Sequence, residues 1–331
     1  MPMLHVENLS IELQTQRGRA RAVRDISFSM ERGDTLGLVG ESGCGKSITA
    51  MALMGLLPEN ARVSGSIRLG GQELVGLPDR AMARLRGDRI GMIFQEPMTA
   101  LNPVHTIARQ VAEPLRLHRA ISAADARRAA VGLLERVGIP DAARRAGAYP
   151  HQFSGGQRQR ITIAMALACD PDLLIADEPT TALDVTIQKQ ILDLIRDLVA
   201  ERGMGLILIS HDLGVIAQNV ARTMVMYGGS VVENGPTASL FAHPMHPYTL
   251  GLFGARPGLL ANKRRRLATI PGTVPELADL PPGCPFAGRC GYTADACFAT
   301  VPPPVEVDPA HAVRCIRLDA VTATGGAQAV A

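Results

Sequence analysis

Apolar positions along this chain fall into short runs separated by longer stretches with helical spacing. Thr35–Val39 is a compact apolar run and reads as a buried strand, and Val23–Met30 alternates loosely and reads as another. A Gly-rich turn, Gly40 to Lys46, comes after the apolar run; Ser47–Leu57 then reads as a helix stopped by Pro58. Arg62–Leu69 and Arg89–Phe94 are further strand candidates. From Met98 to Arg145 alanine, leucine and arginine recur at helical spacing, which predicts a mostly helical insertion reaching to about residue 170. Strand-like sequence returns at Leu173–Ala176 and Gly205–Ser210, with helices expected over Gly155–Ala168 and Thr186–Arg202. Met224–Val232 reads as a hairpin turning at Gly228-Gly229. Strands alternating with helices predict an α/β fold around a mostly parallel, covered sheet.

The texture shifts after about Asn234, where proline becomes frequent. A boundary near Gly235 divides a segment 1–235 from an extension 236–331. The short basic run Lys263–Arg266 fits a solvated linker or a face turned to lipid headgroups or a partner. The small, featureless end Gly325–Ala331 reads as disordered. A net charge of +3 over 331 residues is too weak for the dense basic stripe of a dedicated nucleic-acid binder, so no nucleic-acid partner is expected. Met1–Ser10 carries no secretory signal pattern, and no window approaches the roughly 20 apolar residues that span a bilayer. The expectation is a cytosolic protein that serves a membrane, if at all, through partners.

Lysine is scarce, confined to Lys46, Lys189 and Lys263, so Lys46 inside a Gly-rich turn carries information. Gly40, Glu41, Ser42, Gly43, Cys44, Gly45, Lys46 and Ser47 fit the pattern G-x-x-x-x-G-K-[ST] between a strand and a helix. The glycines let backbone N–H groups point inward at phosphate, and the next helix aims its positive end at the same charge. Lys46 is positioned to reach the β- and γ-phosphates of ATP and the Ser47 hydroxyl to ligate Mg²⁺. Cys44 reads as a small filler, with a redox role as the alternative. The apolar run Leu173–Ala176 delivers two carboxylates at its end: Asp177 suits the Mg²⁺ shell and Glu178 the attacking water.

Phe153-Ser154-Gly155-Gly156-Gln157, continued by Arg158-Gln159-Arg160, resembles the signature of ABC-transporter ATPases, and the resemblance covers roughly Leu4 to Gly235. Gln95 resembles the family's Q-loop glutamine, Ala182-Leu183-Asp184 its D-loop, and His211 its switch histidine. The resemblance implies a P-loop core with an antiparallel β subdomain and a helical subdomain. It further implies a head-to-tail dimer with a second ATPase subunit, identical or different. Ser154, Gly155, Gly156, Gln157 and Asp184 then cap ATP held by the opposite P-loop. Gln95 joins Ser47 and Asp177 at Mg²⁺ and, with Lys46, Glu178 and His211, completes the catalytic set. No aromatic residue lies in Gln14–Val23 to stack on adenine, which leaves Arg17 or Arg19 as candidates.

Gln95 to Pro103, Tyr149-Pro150-His151, Pro179 to Thr186 and His246-Pro247-Tyr248-Thr249 resemble the oligopeptide/dipeptide importer branch, whose relatives import nickel or glutathione. That resemblance implies an ATPase on the cytoplasmic face of the inner membrane. Its partners are then two transmembrane permease subunits and an extracytoplasmic substrate-binding protein. A soluble ABC ATPase outside transport is the rival class, but such proteins typically carry two ATPase units or a long coiled coil. Cys284, Cys290, Cys297 and Cys315 are spaced C-x5-C-x6-C-x17-C in a Pro-rich segment. Four thiolates suit a [4Fe–4S] cluster, which the importer resemblance also implies; zinc and four free buried thiols are the alternatives.

Overall fold

The computed structural model describes residues 2–96, 100–181, 183–254 and 270–323. The basic run Lys263–Arg266 and the tail from Gly325 lie outside the described residues, as do Pro97, Met98, Thr99 and Ala182 of the sequence motifs. Two compact units are present, one made of residues 1–3, 30–35 and 70–209 and the other of 4–29, 36–69 and 210–331.

The first unit is built on parallel strands Ile90–Ile93, Leu173–Asp177 and Gly205–Ser210, with Ile90 opposite Leu173 and Leu173 opposite Gly205. Every residue of these strands is buried, the pattern of strands covered on both faces, which is why they read as continuous apolar runs. Helices Ile107–His118, Ala123–Arg136 and Gly155–Ala166 pack together through buried positions such as Val111, Ala130 and Ile161. Buried Gln110 ties the preceding loop to this bundle, with its side chain accepting from Asn102 N–H and donating to the carbonyls of Asn102 and His105.

In the second unit, strand Leu4–Thr15 lies between Gly18–Met30 and Arg62–Leu69 and pairs antiparallel with the latter. No periodicity announces Leu4–Thr15 in the sequence, and the reason is a bulge. Asn8 has φ 50°, the register shifts between Glu7 and Ser10, and the buried residues step from Leu4 and Val6 to Leu9 and Ile11. One extra residue resets the alternation. Strand Thr35–Val39 runs parallel to Arg222–Tyr227, which turns through Gly228 (φ 53°) and Gly229 (φ 80°) into Ser230–Pro236. Positive φ at both turn residues is the two-residue hairpin turn that glycine favours. Short strands His311–Val313 and Val305–Asp308 continue beyond Ser230–Pro236 with antiparallel pairing, so within this unit the parallel pair of Thr35–Val39 and Arg222–Tyr227 is followed by antiparallel strands.

The helix after the Gly-rich turn is shorter than expected, Lys46–Leu53 rather than Ser47–Leu57. Gly55 at φ 60° ends it, its N–H bonding the Ala52 carbonyl while Leu56 N–H bonds Met51. That pair of bonds is a Schellman stop, which acts before Pro58 is reached.

Gly229 has a contact that a side chain forbids: a Cβ there would stand 2.6 Å from the Ala22 carbonyl oxygen, whereas one at Gly18 would meet nothing within 4 Å. Gly18→Ala is expected to cost about 1–2 kcal/mol through backbone strain alone. Gly229→Ala should cost at least about 1 kcal/mol more, because backbone must shift. Urea denaturation of the two variants beside the parent checks the order; equal midpoints would contradict it.

Candidate functional site

The Gly-rich loop belongs to the second unit. Strand Thr35–Val39 delivers the chain into Gly40, where a Cβ would lie 2.2 Å from the Met226 carbonyl oxygen. Only glycine lets the backbone pass that close. Gly43 and Gly45 take φ 81° and 97°. Gly45 is the N-cap of the helix Lys46–Leu53 and has no side chain with which to cap its first N–H groups. Such a terminus is a ready anion site. Lys46 is buried, and its Nζ donates to the carbonyls of Gly40 (2.8 Å) and Glu41 (2.9 Å), closing the loop into a ring. Ser47 is half-buried in the helix's first turn. Cys44 is buried beneath the loop, and burial raises its thiol pKa. That favours the packing role over a reactive one.

Two residues outside the Gly-rich motif hold this loop from behind. The Glu41 N–H donates to the Tyr248 hydroxyl at 2.8 Å. The Glu41 carboxylate is paired by Arg289, whose Nη1 and Nη2 reach its two oxygens at 2.7 and 3.2 Å. Tyr248 could have been suspected from the His246-Pro247-Tyr248 run; nothing local in the sequence marks Arg289. His211 also belongs to this unit, exposed after the strand Gly205–Ser210, and Asp212 caps the next helix by accepting from Val215 N–H.

The first unit brings together Gln95 and Glu178. Asp177 is buried at the end of its strand, and Glu178 turns the chain with φ 47°, its N–H bonded to the Ile209 carbonyl. A non-glycine residue in that conformation is uncommon and marks a position worth its strain. Glu178 Oε2 accepts from Gln95 Nε2 at 3.0 Å and from the Thr181 hydroxyl at 2.9 Å. Two donors fix the carboxylate's orientation, and Thr181, which falls in the run Pro179 to Thr186, is the member to which the sequence assigned no role at the site. Ser154 is the N-cap of helix Gly155–Ala166 in a reciprocal capping box: its hydroxyl accepts from Gln157 N–H and the Gln157 side chain accepts from Ser154 N–H. Gly155 and Gly156 form the first turn, exposed or half-exposed. A Cβ on Gly156 would stand 2.9 Å from Ile187, which keeps this turn bare. Fully buried Gln159 donates to the Pro179 carbonyl at 2.7 Å and couples this helix to the acidic turn. Asp184 caps helix Val185–Arg202 through Ile187 N–H.

Cys284, Cys290, Cys297 and Cys315 line one cavity of about 20 Å³, together with His246 and Phe286. Backbone N–H groups two residues ahead point at the sulfurs of Cys290 (from Tyr292, 3.4 Å) and Cys315 (from Arg317, 3.3 Å). Burial pushes the Cys284 thiol up to about 12 and the Cys315 thiol to about 11. Among the described residues, no three His, Cys, Asp or Glu side chains are grouped closely enough to hold a metal ion. The iron–sulfur expectation therefore receives no direct support from these side-chain positions.

Strand, Gly-rich loop, lysine-bearing helix start and an acid-tipped parallel strand define a P-loop nucleoside-triphosphatase fold. Residues 23–181 match the ABC transporter family model, and residues 232–297 match the model described as oligopeptide/dipeptide transporter, C-terminal region. A Brucella abortus chain, provisionally named a peptide import ATP-binding protein, is 51% identical over 97% of this chain and 99% of its own length. The oligopeptide transport ATP-binding protein OppD of Mycobacterium tuberculosis is 49% identical over 98% of this chain and 53% of its own. Among solved structures, the dimeric ATP-binding cassette MJ0796 bound to ADP and Pi superposes with TM-score 0.63 at 28% identity, covering 71% of this chain and 99% of that one. The cbiO1 protein of Clostridium perfringens gives 0.61 at 26% identity, covering 73% and 91%. This chain belongs to the ABC transporter family of ATP-binding subunits.

Ser154→Ala removes one half of the capping box and should destabilise the start of its helix by about 1 kcal/mol, while Ser154→Gly should cost only a few tenths. Amide hydrogen exchange at Gln157 and Arg158 reads the difference. Equal protection in the two variants would contradict the capping role.

Proposed function

We propose that this chain is the ATP-hydrolysing subunit of a peptide importer, driving transport through partner membrane subunits. The observation that carries the reading is the pairing, in one chain, of an ABC transporter match with an oligopeptide/dipeptide transporter C-terminal match. Near-full-length identity to a relative named for peptide import supports it.

In this reading Gly40 to Ser47 cradle the triphosphate, and Lys46 leaves its parking bonds on Gly40 and Glu41 for the β- and γ-phosphates. Ser47, Asp177 and Gln95 are the residues that would hold Mg²⁺, which would offset charge on the phosphates. Glu178 accepts the proton of the water whose oxygen attacks the γ-phosphorus, giving ADP and phosphate. The bonds from Gln95 and Thr181 orient that carboxylate. His211 contacts the γ-phosphate. Ser154, Gly155, Gly156, Gln157 and Asp184 serve a second ATPase subunit's nucleotide in trans, offering another helix start to its charge. Among the described residues no helix is long and apolar enough to cross a membrane. The proposal is a peripheral subunit on the cytoplasmic face, working with two permeases and an extracytoplasmic binding protein.

Four thiols around one cavity, two of them facing backbone N–H donors, are the right donor set for a [4Fe–4S] group, with zinc the alternative. Cys284, Cys290, Cys297 and Cys315 would hold it. Such a group would cross-link the chain between Cys284 and Cys315.

Glu178→Gln is expected to keep ATP binding while lowering ATPase turnover at least about 100-fold. Nucleotide titration and phosphate release on the assembled transporter measure the two separately; unchanged turnover removes Glu178 as the base. Chain purified without oxygen is expected to carry iron and acid-labile sulfide that Cys297→Ser loses. Zinc in their place selects the alternative, and a metal-free parent chain contradicts both.

A further inference from the structure

Arg289 is buried in the extension, in the short turn Ala287–Arg289 that ends next to Cys290, and its side chain is only 6% exposed. A guanidinium has five N–H donors. Each has an acceptor here: Nε bonds the Pro271 carbonyl at 2.8 Å, and Nη1 bonds Glu41 Oε2 at 2.7 Å and the Tyr227 hydroxyl at 3.3 Å. Nη2 bonds Glu41 Oε1 at 3.2 Å and the Gly272 carbonyl at 3.1 Å. The two bonds to Glu41 form a fork-to-fork pair, the strong geometry for arginine and carboxylate. Tyr227 packs edge-on against Tyr248 and Phe286, with ring centres 4.7 and 5.1 Å apart. The Tyr248 hydroxyl in turn takes the Glu41 N–H. Glu41 is thus gripped at its backbone and at its side chain by residues far along the chain.

Glu41 places a negative charge inside a loop whose task is to receive a triphosphate. Left alone, that carboxylate repels the ligand; paired with a desolvated guanidinium, its charge is cancelled. We propose that Arg289 is a positioning residue for the nucleotide site, neutralising and fixing the Glu41 carboxylate of the P-loop, so that the fold of the cysteine-bearing extension sets ATP affinity. This rests on the reading of Gly40 to Ser47 as the ATP site. Lysine in place of Arg289 keeps the charge but loses the planar five-donor fork, so it replaces only part of the role.

The experiment is titration of the full-length chain with Mg-ATP at low and high salt, for the parent, Arg289→Ala, Glu41→Gln/Arg289→Ala, Arg289→Lys and Lys46→Ala. Arg289→Ala should raise the ATP Kd about tenfold at low salt and less at high salt, since the fault is an exposed charge. Glu41→Gln in the same chain should recover most of that loss. A merely structural role for Arg289 would give a defect that neither salt nor Glu41→Gln relieves, and that result overturns the proposal, as does parental affinity in Arg289→Ala. If Arg289→Ala does not fold, Arg289→Lys carries the test, with a loss of about threefold that Glu41→Gln reverses; no loss overturns it. Lys46→Ala should abolish binding throughout. Retained binding there would sink the ATP-site reading itself, whatever Arg289 does.

Discussion

A loop that is to bind phosphate through its backbone, the role proposed for Gly40–Ser47, must leave its N–H groups out of any strand or helix ladder, and it must stay in place while doing so. Here the solution is close backbone contact. Gly40 passes against the Met226 carbonyl, and Gly45 and Gly229 both crowd the Ala22 carbonyl at distances that no Cβ tolerates. Gly229 N–H bonds the Cys44 carbonyl and Arg24 N–H bonds Gly229. The Gly-rich loop, the hairpin turn and the second strand are locked into one another, and Cys44 fills the space beneath. The helix beyond the loop can then present an uncapped start to the site without fraying.

Residues beyond Gly235 are coupled to this lock through buried polar groups. Glu233, 1% exposed, accepts from the N–H groups of Met245 and His246 and bonds the His311 ring at 2.9 Å. A buried carboxylate is tolerable only with its lone pairs engaged, and these partners provide that. His246 is itself fully buried, and burial lowers its pKa to about 4, which keeps the ring neutral at physiological pH. Its Nδ1 accepts from Tyr248 N–H, which orients the tyrosine whose hydroxyl meets the P-loop. The run His246-Pro247-Tyr248 is therefore a bracket: one end is fixed to Glu233 in the sheet, the other to Glu41 in the loop.

Much of this was legible in the sequence because the chemistry is local. Gly40 to Ser47 declare a loop by their spacing, Leu173 to Glu178 declare a buried strand tipped with acid, and Ser154 to Gln157 carry the family signature at a helix start. What escaped depends on contacts between distant segments or on broken periodicity. The strand Leu4–Thr15 is hidden by the bulge at Asn8. The helix end at Leu53 was masked by Pro58, although Gly55 acts first. Strands Val305–Asp308 and His311–Val313 are too short for alternation to register, and they form because Ser230–Pro236 offers them an edge. Arg289 carries no local signal at all; its meaning lies in Glu41, 248 positions away.

The most direct test of the central claim is transport itself. Vesicles containing the assembled transporter, loaded inside or outside with ATP, are offered a labelled peptide and its binding protein. The account predicts uptake that needs ATP on the side of this chain and disappears with Glu178→Gln. Peptide uptake that continues with Glu178→Gln, or that runs equally without ATP on that side, would contradict it.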